Sequence, residues 1–111
     1  MSIAACIERA NVSGEDARMA TQLYMVIERF RNGDAASVYR RFRDEGRLAP
    51  DGLTYVSSWV SADFRVCYQL METSDPSLLD AWIDRWSDLV AFEVHPVITS
   101  SEAAERMASR L

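Results

Sequence analysis

The order of strand-like and helix-like segments limits the fold of this chain more than any single motif does. Residues 22–31 form a near-continuous apolar run rich in strand formers, typical of a strand buried on both faces. Strand patterns at 53–60 and 64–73 are separated by three residues and predict a hairpin. The fourth pattern, 91–99, contains Pro96, which cannot donate to a ladder, so we expect an edge strand or a bulge there.

Helical patterns fill the gaps between these strands. Asp34 is a suitable N-cap for a first helix that ends at Gly46. A second helix starts at Asp75, which is followed by proline. Thr99 opens a capping box for a last helix. The second helix is predicted to continue for three turns, with one apolar face formed by Leu79, Trp82, Ile83, Trp86 and Val90.

The resulting β-α-β-β-α-β order predicts an α+β, ferredoxin-like antiparallel sheet. Two main helices cover one face, and a C-terminal helix is added. The first and third strands carry more large apolar side chains than one covered face requires, and an exposed apolar face usually marks an interface. We therefore predict a homodimer formed through the open sheet face. The side chains behind this prediction are Tyr24, Met25, Val26, Ile27, Val66, Tyr68, Leu70 and Met71.

Composition excludes several function classes. The 111 residues carry a net charge of −5, which argues against nucleic acid as a partner. All twelve basic residues are arginine, so Schiff-base and P-loop lysine chemistry are excluded. The longest apolar runs are far too short for a membrane span, and no secretory signal is visible, so we expect a cytoplasmic protein. No cofactor motif is present, and no cofactor is expected.

Residues 1–20 fall outside the strand-helix pattern and are expected to be an amino-terminal extension, either a short helix or the product of a start codon upstream of the true one at Met19. The domain proper is expected at 21–111.

Cys6 and Cys67 form neither a disulfide framework nor a metal pair, and one histidine among scattered carboxylates makes a protein metal site unsupported.

The stretches LYMVIERFR, DAWIDRWSDL and FEVHPV resemble a bacterial family of unknown function in the dimeric α+β barrel superfamily. The resemblance covers about residues 23–104. It implies a homodimer whose two sheets close into a barrel, but it transfers no catalytic residues, because the family has no settled activity. The wider superfamily includes both enzymes and ligand-sensing modules. Fold alone does not choose among them.

Two titratable residues are candidates for catalysis. Glu28 interrupts an apolar central strand: it is either a buried acid with a raised pKa or a solvated residue paired with an arginine. His95 is the only histidine: it is either a general base in the barrel cavity or an ordinary hydrogen-bonded residue at a strand end. If both faced one cavity, their titrations would be coupled.

A second group consists of polar and aromatic strand residues that could line a ligand pocket or simply pack in the core or an interface. This group comprises Tyr24, Tyr55, Trp59, Tyr68 and Gln69. Trp82 and Trp86 are expected to be structural. Half of the arginines lie within residues 29–47, which indicates either an anion clamp or a salt-bridged helix face.

The sequence alone leaves three possible functions open. The chain is a cofactor-independent enzyme acting on a small metabolite in the barrel, a non-catalytic small-ligand binding or sensing module, or a dimerisation scaffold with a filled barrel.

Overall fold

The computed structural model describes residues 20–111, so Cys6 and almost all of the predicted extension lie outside it. These residues form four strands and three α-helices, with single 3₁₀ turns after the first strand and the last helix. The bounds are β1 Gln22–Phe30, α1 Ala35–Glu45, β2 Thr54–Val60, β3 Val66–Thr73, α2 Ser77–Asp84, β4 Val90–Val97 and α3 Ser100–Met107.

The four strands form one antiparallel sheet in the order β2-β3-β1-β4. This order confirms the predicted ferredoxin-like α+β class, with β1 and β3 in the centre. β4 is an edge strand, as Pro96 required; Pro96 lies opposite Tyr24 of β1.

The sheet has one covered and one open face, because side chains alternate along each strand. On β1 the covered set is Tyr24, Val26, Glu28 and Phe30, all buried, whereas the residues between them are partly exposed. Helices α1 and α2 pack on this covered face. The core joins Tyr24 and Val26 of the covered set to Leu53, Met71, Leu79, Trp82 and Trp86, with Val38 of α1 packed against it.

Capping side chains fix the helix starts. The Asp34 carboxylate accepts a hydrogen bond from the Ser37 backbone N–H (3.1 Å), and the Thr99 hydroxyl accepts one from Glu102 (3.1 Å). Both caps were predicted from the sequence.

The second helix is shorter than predicted. It ends at Asp84, and the chain continues in tight turns in which Trp86 donates its backbone N–H to Ile83 and Leu89 donates to Trp86. The prediction that Val90 belongs to the helix is wrong: Val90 is fully buried and begins β4. The prediction failed because apolar residues continue at helical spacing past the end of α2 and into the start of β4.

The hairpin link is longer than predicted. Phe64 has φ +60°, which a strand cannot accommodate, and the Ser61 hydroxyl accepts hydrogen bonds from the backbone N–H groups of Arg65 and Val66. The link therefore covers five residues, 61–65, and β3 begins at Val66. None of the described helices is long and apolar enough to cross a membrane.

Candidate functional site

A pocket of about 240 Å³ lies between the covered face of the sheet and helix α1. Its walls are mostly apolar and aromatic, and its floor carries a carboxylate, an amide and a thiol from the two central strands. The lining consists of Glu28, Phe30, Val38, Tyr39, Phe42, Arg47, Ser58, Val60, Cys67, Gln69, Trp82 and Trp86.

Three polar side chains form a hydrogen-bonded chain that runs from the rim of the pocket to its floor. Arg47 Nε donates to Gln69 Oε1 at 2.6 Å, and Gln69 Nε2 donates to Glu28 Oε2. The two strand residues meet because β1 and β3 pair in a register that places Val26 opposite Gln69 and Glu28 opposite Cys67. Glu28 is only 7% exposed, so the amide satisfies a carboxylate that water barely reaches.

The backbone at Arg47 has an unusual conformation. Gly46 and Leu48, on either side of it, both have positive φ (+76° and +64°), a conformation that disfavours side chains such as leucine. The turn directs the Arg47 carbonyl toward two indoles: Trp82 Nε1 donates to it at 3.0 Å and Trp86 Nε1 at 2.8 Å. The two tryptophans thus hold the segment that carries Arg47 over the pocket.

The Arg47 guanidinium lies between two aromatic rings. Its Cζ is 3.8 Å from the ring centroid of Tyr55 and 5.1 Å from that of Phe42. Such contacts favour a cation by interaction with the ring quadrupoles. A permanent positive charge is thereby held at the rim of a largely apolar pocket.

Burial dominates the electrostatics of the floor. Desolvation raises the pKa of Glu28 to about 7, although the hydrogen bond from Gln69 and the charge of Arg47 both act to lower it. Burial and the nearby Glu28 raise the pKa of the Cys67 thiol to about 12, and burial also raises the pKa of Tyr39. Glu28 is therefore the group able to exchange a proton near neutral pH, whereas Cys67 is held as an unreactive thiol.

The predicted site residues separate into three groups. Glu28 and Gln69 line the pocket, and Tyr55 supports Arg47 at its rim. Tyr24 is fully buried in the core and lies outside the pocket lining. Trp59 and Tyr68 pair with each other on the open face of the sheet, where Trp59 is 56% exposed.

Glu28 and His95 do not face one cavity, which was the condition for coupling between their titrations. On β4 Glu28 lies opposite Phe92 and Met25 lies opposite His95, so the two candidates point to opposite faces of the sheet. His95 is exposed and its Nε2 lies 2.5 Å from Glu93 Oε2. A coupled Glu28–His95 acid/base pair is therefore not formed within the chain.

Three of the six arginines in residues 29–47 form salt bridges: Arg29, Arg41 and Arg43. Arg41 pairs with Asp88 at 2.6 Å and Arg43 with Asp44 at 2.8 Å. Arg47 forms no salt bridge in the described part of the chain, and its polar side-chain partner is the amide of Gln69 inside the pocket. Sequence reasoning did not single it out, although its place after a helix-ending glycine was a signal that the chain turns there.

The pocket walls also include residues that sequence reasoning treated as structural. Trp82 and Trp86 are buried, as expected, but each also lines the pocket. A cavity was expected between the two sheets of a dimer, whereas this pocket is formed within one chain on the helix side. Over residues 20–111 there is no cluster of three or more histidine, cysteine or acidic residues that could hold a metal ion.

Comparison with known proteins places the chain in a family. Residues 22–111 match the family described as Domain of unknown function (DUF3303), which spans everything from β1 to the last residue. No curated protein and no solved structure gives a significant match. The matched region contains every residue of the pocket, and the chain therefore belongs to the DUF3303 family of domains of unknown function.

Proposed function

We propose that this protein binds a small organic molecule with an apolar body in the pocket above Glu28. The observation that carries the proposal is the hydrogen-bonded chain from Arg47 at the rim through Gln69 to Glu28 on the floor of a mostly apolar pocket. Ligand sites commonly combine apolar walls with a few polar groups that fix orientation.

The size of the pocket limits the ligand. A volume of about 240 Å³ is below the ~300–1,000 Å³ typical of sites for drug-sized molecules. A cavity of ~150 Å³ already accepts benzene in an engineered protein. A one-ring compound with a short polar substituent therefore fits the available space.

The tryptophans provide a direct test. The chain has three, of which Trp82 and Trp86 line the pocket while Trp59 lies on the opposite face. Titration of ¹⁵N-labelled protein with neutral one-ring probes, including phenylacetamide, should shift the Trp82 and Trp86 indole signals and leave Trp59 in place. No movement of these two signals at millimolar probe would overturn the proposal.

A filled pocket is the matched control. Val38→Phe places a larger side chain in the pocket and should abolish the shifts. Val56→Phe makes the same change at an exposed position of β2 that lies outside the pocket and should leave them unchanged. Equal behaviour of the two variants would place binding elsewhere.

A second candidate function, proton-transfer catalysis without a cofactor, is favoured by one observation: the pKa of Glu28 is raised to about 7. A carboxylate with a pKa near the working pH is suited to general-base catalysis. Gln69 orients it, and the apolar walls would strengthen its interaction with a developing charge.

This candidate can be tested with 5-nitrobenzisoxazole, a probe for carboxylate bases in apolar sites. Glu28 would take the proton from ring carbon 3 while the N–O bond breaks. The single product, 2-cyano-4-nitrophenolate, is followed by its absorbance. The rate should rise with pH through about 7 and disappear in Glu28→Gln, but not in Glu105→Gln. An equal rate in Glu28→Gln would exclude Glu28 as the base.

We also propose that two copies associate through the open face of the sheet, in line with the resemblance to dimeric α+β barrels. Met25, Tyr68 and Leu70 form its centre and Trp59 its β2 side, and the Trp59 and Tyr68 side chains are exposed. A face of this kind is self-complementary about a two-fold axis.

Light scattering should give about twice the chain mass of 12.6 kDa. Met25→Glu, at the centre of the face, should yield a monomer, whereas Met107→Glu on α3 should stay dimeric. A monomeric wild-type protein would contradict the proposal.

A further inference from the structure

The charge at the rim of the pocket distinguishes between classes of ligand. Among the described residues that line the pocket, Arg47 is the only cation. Its Nε is used in the bond to Gln69, and neither terminal nitrogen makes a hydrogen bond to the described residues. A guanidinium in this state has two parallel donors available for a planar, two-oxygen anion.

A single carboxylate matches this arrangement better than a phosphate does. The Phe42 ring carries no donor, the Tyr55 hydroxyl is hydrogen-bonded to the Ser58 hydroxyl at 2.8 Å, and no second cation lines the pocket among the described residues. A dianionic phosphate would need more donors than one arginine provides. The apolar walls in turn match the ring or alkyl body of the acid.

A bound carboxylate would also act on Glu28. Arg47 reaches Glu28 through the Gln69 amide and is a favourable charge for it. An anionic ligand neutralises that charge and adds a like charge beside the buried carboxylate. Both changes favour the protonated form of Glu28.

Few other groups can take up or release this proton. The titratable groups facing Glu28 are Cys67 on β3 and Tyr39 on α1, and Arg47 contributes the charge from the segment after α1. Burial raises the pKa values of both Cys67 and Tyr39, so they stay neutral through the physiological range. From α2 and the turn after it, the pocket receives Trp82 and Trp86, which do not titrate.

We propose that the pocket selects a small carboxylic acid with an apolar body, whose carboxylate binds the terminal nitrogens of Arg47, and that binding is accompanied by protonation of Glu28. This inference rests on the proposed function, since it assigns the ligand class of the same pocket. The protein would therefore take up about one proton for each anion bound above neutral pH.

The experiment compares phenylacetate with phenylacetamide, which have the same shape and differ in charge. Binding is followed by the Trp82 and Trp86 indole signals from pH 6 to 8.5. Phenylacetate should bind more tightly than the amide at pH 6, and its Kd should rise about tenfold for each pH unit above 7. The Kd of the neutral amide should change little.

Two variants separate the parts of the inference. Glu28→Gln should remove the pH dependence of phenylacetate binding. Arg47→Met keeps an apolar stem and should weaken phenylacetate by at least about tenfold without weakening the amide. Arg43→Met makes the same change on the outer face of α1, where the side chain pairs with Asp44, and should leave both affinities unchanged.

The outcomes distinguish the two proposals. Binding of both probes with equal affinity, unaffected by Arg47→Met, would overturn the carboxylate assignment and leave the pocket as a binding site. Tighter phenylacetate binding with no pH dependence would refute the coupling to Glu28. If neither probe moves the two indole signals, the proposed function fails and this inference fails with it.

Discussion

The buried Glu28 should make the protein less stable as the pH rises. Its pKa increases from an ordinary 4.5 in the unfolded chain to about 7 in the fold, mainly by desolvation. Between these values the folded state binds more protons than the unfolded state, so the free energy of unfolding falls with rising pH. The contribution of Glu28 is fully present below pH 4.5 and is lost as the pH passes through about 7.

The size of this effect on the free energy of unfolding follows from the difference between the two pKa values of Glu28. About 2.5 pH units, at roughly 1.4 kcal/mol per unit, correspond to about 3–4 kcal/mol. This is a large share of the ~5–15 kcal/mol typical of a domain. The variant Glu28→Gln has almost the same shape, can still accept the hydrogen bond from Gln69, and carries no charge at any pH.

Urea unfolding at fixed protein concentration from pH 4.5 to 8.5 measures the effect as a difference between proteins. Glu28→Gln should match the wild type near pH 4.5 and exceed its free energy of unfolding by about 3–4 kcal/mol at pH 8.5. Glu105→Gln, an exposed position on α3, should follow the wild type throughout. Parallel curves for Glu28→Gln and wild type would refute the desolvation argument.

Three further predictions concern stability and reactivity. Asp34→Ala should cost about 1 kcal/mol in urea unfolding, because the α1 cap is lost; no change would mean that the cap adds nothing. Leu79→Ala should cost about 2–5 kcal/mol, since this side chain is fully buried, whereas Leu111→Ala, at a position 98% exposed, should change little; similar losses would contradict the core assignment. In a Cys6→Ser background, Cys67 should react slowly with iodoacetamide at pH 8 and rapidly in urea, because the fold raises its pKa to about 12; equal rates would contradict this.

The sequence was sufficient to predict the fold because its local signals agree with one another. Alternation and apolar content marked the four strands, and Asp34 and Thr99 capped the helices as their types predicted. Pro96 correctly indicated an edge strand. The boundaries were less certain where apolar spacing continued past the end of an element, as at Val90.

Only part of the candidate site could be predicted from the sequence. Glu28 was recognisable as an acid in an apolar central strand, and Gln69 was predicted as a residue that could line a pocket, which it does. Whether the acid was buried or solvated stayed open, because that depends on which face of the sheet it occupies and on what covers that face. Glu28 is buried because β1 pairs with β3 and α1 packs over the face on which its side chain lies.

Tertiary structure alone decided which residues meet. A strand's side chains alternate, so the register with β4 separates Glu28 from His95 by the thickness of the sheet. Arg47 joins Glu28 through Gln69 only because positive φ at Gly46 and Leu48 turns the chain back over the sheet. The sequence by itself predicted the order of strands and helices along the chain and the alternation of side chains along each strand. The pairing of distant segments determined which charges share the pocket, since no local pattern encodes contacts between residues so far apart in the chain.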